Sequence, residues 1–206
     1  ARVYAYAPDR VKTLPVSFTD LTRPIYKNQI GIAPTNASFQ AFLTALIENK
    51  GTAFAKNWLE GLQTNGVKIY LKNSAIVEAI DRGEISLGLV NHYYVWEVSE
   101  ALGRPINAKN AFFTPGDLGN LINVSGAGVL KTSSKQKAAQ NLINYLTSTA
   151  AQQKFVNDTH EYSLLDGALA PSELPALDKI GAPSIDLKTL SNIKATQDLL
   201  IQVGLL

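Results

Sequence analysis

The residues with the most chemical promise lie together at Val90-Asn91-His92-Tyr93-Tyr94, where the apolar run from Ile85 to Val90 gives way to a helical pattern. A buried strand that ends as a helix begins is where α/β proteins present side chains to ligands. Phenolate oxygen is a hard donor suited to a hard, highly charged cation such as Fe(III). A bound cation also holds deprotonated a hydroxyl whose free pKa is about 10. Tyr93 and Tyr94 are therefore candidate metal ligands. They are also compatible with packing aromatics, since adjacent helical positions point about 100° apart and need not face one pocket.

A second feature is Pro34-Thr35-Asn36-Ala37-Ser38, small and polar residues ahead of a helix, whose free N–H groups and dipole suit an anion as well as a plain cap. Lys72-Asn73-Ser74 has the same form and also follows a strand. Asn36, Asn73 and Asn91 would then converge on one sheet edge, an arrangement suited to an anion. His92 either orients a tyrosine or simply opens the helix.

Other templates fail. Gly126-Ala127-Gly128-Val129-Leu130-Lys131-Thr132 lacks the glycine that must precede the lysine of a phosphate loop. His92 and His160 are the only histidines, and neither a glycine-flanked serine nor a Glu-flanked histidine pair exists, which excludes hydrolase and metalloprotease patterns. The absence of cysteine leaves oxygen and nitrogen as the metal donors. With 19 basic and 17 acidic residues interspersed, no broad footprint for nucleic acid or an anionic membrane exists. No run approaches the roughly 18 apolar residues of a membrane span.

The elements that must position these residues are legible from periodicity. Strands are expected at 2–6, 30–32, 67–71 and 85–90, with extended segments at 112–115 and 120–130. Phe39, Phe42, Leu43, Leu46 and Ile47 form one helical face, with Asn36 as N-cap and Gly51 as stop. A second helix starts at Thr52, with Phe54, Trp58 and Leu62 sharing a face. Others are expected at 74–82, from Tyr93 to Ala101, at 134–147, at 149–157 and at about 187–203. Strand–helix alternation predicts an α/β domain with a parallel or mixed sheet, its ligands beyond the carboxyl ends of the strands.

Ile30-Gly31-Ile32-Ala33-Pro34-Thr35-Asn36-Ala37-Ser38-Phe39, Trp58-Leu59-Glu60-Gly61-Leu62, Lys72-Asn73-Ser74, Gly83-Glu84-Ile85 and Leu89-Val90-Asn91-His92-Tyr93-Tyr94 resemble the bacterial periplasmic ferric-binding proteins in order and spacing. The resemblance continues through Pro115-Gly116-Asp117, the Ser125 to Lys131 segment and Glu161-Tyr162 to the closing helix. It implies a two-lobed clamshell receptor of the periplasmic-binding-protein type II fold. Such a receptor closes on Fe(III), passes it to an inner-membrane ABC permease, and is not an enzyme. It also implies Tyr93 and Tyr94 as iron ligands, and a synergistic phosphate or carbonate held by Asn36, Ala37, Ser38, Asn73 and Asn91. The location implied is the periplasm, free or lipid-anchored.

Two departures from the family pattern shape the expectations. Where some members place a third tyrosine near the anion loop, this sequence has Ala37, Ser38 and Phe39, which matches the two-tyrosine, anion-assisted type. The family's chain also begins with a longer N-terminal segment, often bearing a His or Glu iron ligand, whereas this sequence opens at Ala1-Arg2-Val3 without a signal-peptide pattern. Residues 7–124 with 175–206 are thus expected to form one nearly complete lobe, and residues 1–6 with 125–174 a remnant of the other. That remnant is expected to expose apolar surface unless the missing segment is present as a separate chain. The alternatives are a type II receptor for phosphonate, sulfate, thiamine or polyamine, or a truncated fragment that no longer binds ligand.

Overall fold

The computed structural model describes residues 1–165, 170–171 and 173–206. These divide into two units, Ala1–Asn123 with Gly181–Leu206, and Val124–Ile180. The larger unit is built on a five-stranded mixed sheet, β1 (Arg2–Tyr6), β2 (Ile30–Ile32), β3 (Lys68–Ile69), β4 (Leu87–Asn91) and β5 (Lys109–Ala111), in the order β3-β2-β4-β1-β5. Strand β2 is parallel to β3 and β4, while β1 runs antiparallel to β4 and β5.

The sheet is buried on both faces, and strand periodicity sorts its side chains. Tyr4, Ile30, Ile32, Leu87 and Leu89 join a core with α1 (Ala37–Lys50) and α2 (Thr52–Thr64). Val3, Ala5 and Val90 join the opposite core with α3 (Asn73–Asp81) and α4 (Tyr94–Leu102). Helix α1 starts where Asn36 caps it, its side chain accepting from the Ser38 N–H, and stops at Gly51, whose φ of +87° favours glycine. In α2, Trp58 and Leu62 are buried as their shared face requires, but Phe54 remains 39% exposed.

The strand expected at 67–71 pairs only at Lys68–Ile69, on the sheet edge with both residues exposed. The segment after residue 120 forms no strand before residue 131. The last expected helix is a 3-10 turn at Leu187–Ser191 followed by α7 (Ile193–Gln202), because Asn192 interposes a side-chain cap on the Ala195 N–H.

Residues 1–6 differ from the sequence reading, which groups them with 125–174. Residues 2–6 are β1, hydrogen-bonded between β4 and β5 inside the larger unit. The smaller unit contains α5 (Gln136–Leu146) and α6 (Thr149–Thr159). Of the 125–174 stretch, residues 166–169 and 172 lie outside the described residues. Leu130, Leu142, Tyr145 and Leu164 are exposed by 57–75%, and α5 buries no residue.

Gly31 and Gly88, opposite each other in the β2–β4 register, let α3 lie close to the sheet. A Cβ on Gly31 would sit 2.6 Å from Ile85 Cδ1, and one on Gly88 would run into Ile76 Cγ2. Ile76 is fully buried. Gly88→Ala is therefore expected to cost about 1–3 kcal/mol by overpacking. Urea unfolding of the two proteins side by side, with unchanged slope and a lowered midpoint, checks this.

Candidate functional site

The site forms at one edge of the larger unit's sheet. Strands β3, β2 and β4 are neighbours and parallel, so the loops leaving their carboxyl ends meet at the same edge. Those loops carry Asn73, then Asn36 with Ala37 and Ser38, then Asn91 with Tyr93 and Tyr94. Strand β1 runs the other way, which places its first residue, Arg2, opposite Asn91.

Arg2 is only 2% exposed, and sequence reasoning missed it. Its Nη1 donates to Ser38 Oγ at 3.1 Å and to Asn91 Oδ1 at 3.2 Å. Ser38 in turn bonds to Asn36 Oδ1 through both its N–H and its hydroxyl. One cation thus ties the loop before α1 to the end of β4. Burial pulls the guanidinium down to about 10, while the charges of Tyr93 and Tyr94 push it back up. Its Nη2 is buried without a hydrogen-bond partner.

Asn73 opens α3, is fully buried, and leaves both amide atoms without a partner. An unsatisfied buried amide costs about 1–3 kcal/mol, so such a group at a helix N-terminus is suited to an anion in contact with it. Ala37 is exposed, and Asn36, Ser38 and Asn91 are half-buried. The structure brings Asn36, Ser38 and Asn91 together through Arg2. Asn73 and Ala37 share their edge without a bond to them.

Tyr93 is the N-cap of α4 and Tyr94 its first residue. The two do not splay apart: their ring centroids are 4.6 Å apart, with planes inclined at 42°. Asn91 Nδ2 donates to Tyr93 Oη at 2.9 Å. Burial pushes the Tyr94 hydroxyl up to about 12, helped by the neighbouring Tyr93, a hydrogen bond with it, and Glu97, while Arg2 opposes the shift. His92 is 1% exposed, with its ring edge-on to Tyr93 at 5.3 Å and to Trp96 at 6.5 Å. It forms a wall behind the tyrosines. Among the described residues no group of three or more His, Asp or Glu side chains is arranged to hold a metal.

The arrangement has a clear chemical capacity. Two half-buried phenols share a sheet edge with a buried cation, two helix N-termini and an unsatisfied amide, groups whose types suit a highly charged cation and an oxyanion. At neutral pH the Tyr94 phenol keeps its proton, and a cation must displace it. Alkaline ultraviolet titration of the metal-free chain, taken as the difference from Tyr94→Phe, is expected to show a midpoint near 12. A midpoint at the free value of about 10 would mean that the phenol is solvated.

Residues 1–180 match the model of the bacterial extracellular solute-binding protein family. The sequence is 33% identical over 208 residues to the Fe(3+)-binding periplasmic protein of Serratia marcescens, covering 99% of this chain and 61% of that protein. It is likewise 33% identical to the major ferric iron-binding protein of Neisseria meningitidis, covering 100% and 62%. The chain therefore spans about three fifths of the length of these relatives. Among solved structures, iron-bound HitA from Pseudomonas aeruginosa superposes with a TM-score of 0.90 at 31% identity, covering 98% of this chain and 66% of that one. Apo ferric ion-binding protein A from Pasteurella haemolytica does so with a TM-score of 0.86 at 26% identity, covering 100% and 67%. The fold is that of the type II periplasmic binding proteins, with one lobe nearly complete and the other partial. The chain belongs to the bacterial extracellular solute-binding protein family.

Proposed function

We propose that this chain is the iron-gripping part of a ferric-iron receptor that serves a bacterial ABC importer, a binding protein and not an enzyme. The reading rests on one observation above all. Tyr93 and Tyr94 lie ring against ring at the carboxyl end of β4, on the edge where Arg2 and Asn73 keep buried polar atoms unpartnered. The ferric-binding relatives support it.

Tyr93 and Tyr94 coordinate Fe(III) as phenolates. A synergistic anion, phosphate or carbonate, sits between the metal and the sheet edge, contacting Asn36, Ala37, Ser38, Asn73 and Asn91. Two phenolates and a doubly charged anion exceed the ion's three positive charges by one, and Arg2 offsets that excess. The relatives are ferric-binding proteins of the periplasm, which makes that the location proposed here, free or lipid-anchored. The partner that receives the iron is an inner-membrane ABC permease.

Ferric titration of the chain in phosphate, followed by visible absorbance, tests this reading. The parent is expected to develop a tyrosinate-to-iron band that Tyr93→Phe and Tyr94→Phe each abolish. Asn73→Ala is expected to keep the band but raise the phosphate requirement about tenfold, the worth of a hydrogen bond to a charged group. Because protons must leave both phenols, ferric affinity is expected to fall as pH drops, by about tenfold per unit for each proton displaced. No band in the parent would favour a type II receptor for another small ligand or a fragment that no longer binds.

A further inference from the structure

We infer that Gln40 and Thr35 are positioning residues for the anion. Gln40 grips from inside the loop that carries Asn36, Ala37 and Ser38, and Thr35 ties that loop to the one that carries Asn73. Neither side chain is among the groups proposed above to meet the ligands, and the inference deepens the ferric reading, on which it rests.

A buried backbone carbonyl needs a partner. Pro34 is buried, and its carbonyl accepts from Gln40 Nε2 at 3.1 Å. Gln40 is itself only 8% exposed and lies one turn into α1, so the bond closes the loop back onto the helix that it precedes. A carbonyl only accepts, which means that the Gln40 atom facing Pro34 must be the amide nitrogen. The amide oxygen then faces the other way, where Gln197 of α7 reaches it at 3.4 Å. Because the Pro34–Thr35 peptide is planar and trans, holding the Pro34 carbonyl also sets the direction of the Thr35 N–H. Proline fixes its own φ as well, so the backbone arrives at Asn36 with little freedom. On the outer side, Thr35 Oγ1 donates to the Leu71 carbonyl at 3.1 Å, two residues before Asn73. Arg2 joins the same loop to the end of β4. The spacing of the three loops is therefore bounded from both sides.

Gln40→Met keeps the length of the side chain but donates nothing. In the ferric-loaded chain it is expected to raise the half-saturating phosphate concentration about fivefold, the worth of a neutral hydrogen bond, without moving the tyrosinate band. Thr196→Val is the control for lost stability. It removes a buried hydroxyl pair with Thr44, 2.6 Å apart between α1 and α7, and is expected to lower the urea midpoint while leaving the phosphate requirement alone. Thr35→Val is expected to raise that requirement in the parent but not in Asn73→Ala, because its effect runs through the spacing to Asn73. A phosphate requirement unchanged in Gln40→Met, or raised as much by Thr196→Val, would overturn the role of Gln40; strictly additive effects of Thr35→Val and Asn73→Ala would overturn that of Thr35. In the metal-free chain, amide hydrogen exchange at residues 35–38 is expected to quicken in Gln40→Met and not in Thr196→Val. That result in a chain whose parent gives no tyrosinate band would uphold the grip on the loop and overturn the ferric reading.

Discussion

A buried arginine organises the edge of this sheet. Taking a guanidinium out of water costs several kcal/mol unless it is well bonded, and Arg2 is almost fully enclosed. Its Nη1 bonds to Ser38 and Asn91 meet part of that requirement. They also fix the start of α1 against the end of β4. Ser38, Asn91, Tyr93 and Tyr94 therefore lie near a buried positive charge. At the same edge Arg2 Nη2 and both amide atoms of Asn73 are buried without a protein hydrogen-bond partner.

Positioning that edge is a packing problem. Three parallel strands must end at the same level, and α3 must start close enough to the sheet for Asn73 to be enclosed. The glycine pair Gly31 and Gly88 permits that approach by leaving room for Ile76 and Ile85. The same two positions complete the core beneath α3, while α1 packs on the other face with Phe39, Phe42, Leu43 and Leu46 buried. The phenols are then presented by the first turn of α4, on a rigid element.

Much of this was legible in the sequence because the signals were local. The Asn36 cap, the Gly51 stop and the buried strand leading into Tyr93 and Tyr94 each follow from neighbouring residues. What escaped depends on strand order. Nothing about Arg2 marks it as buried, since arginine near the start of a sequence is ordinarily exposed. The antiparallel pairing of β1 with β4 sets it opposite Asn91, and its N–H bonds to the Leu121 carbonyl. The same pairing puts residues 2–6 in the larger unit. The approach of the Tyr93 and Tyr94 rings to 4.6 Å is set by the side-chain conformers at the start of α4, which periodicity does not resolve.

The measurement that bears most directly on the account is a crystal of the chain soaked in ferric phosphate, with anomalous diffraction recorded at the iron edge. The account predicts a single strong peak within coordination distance of both Tyr93 Oη and Tyr94 Oη, with anion density reaching Arg2 Nη2 and the Asn73 amide. Iron elsewhere on the molecule, with the tyrosines still bonded only to protein, would contradict it.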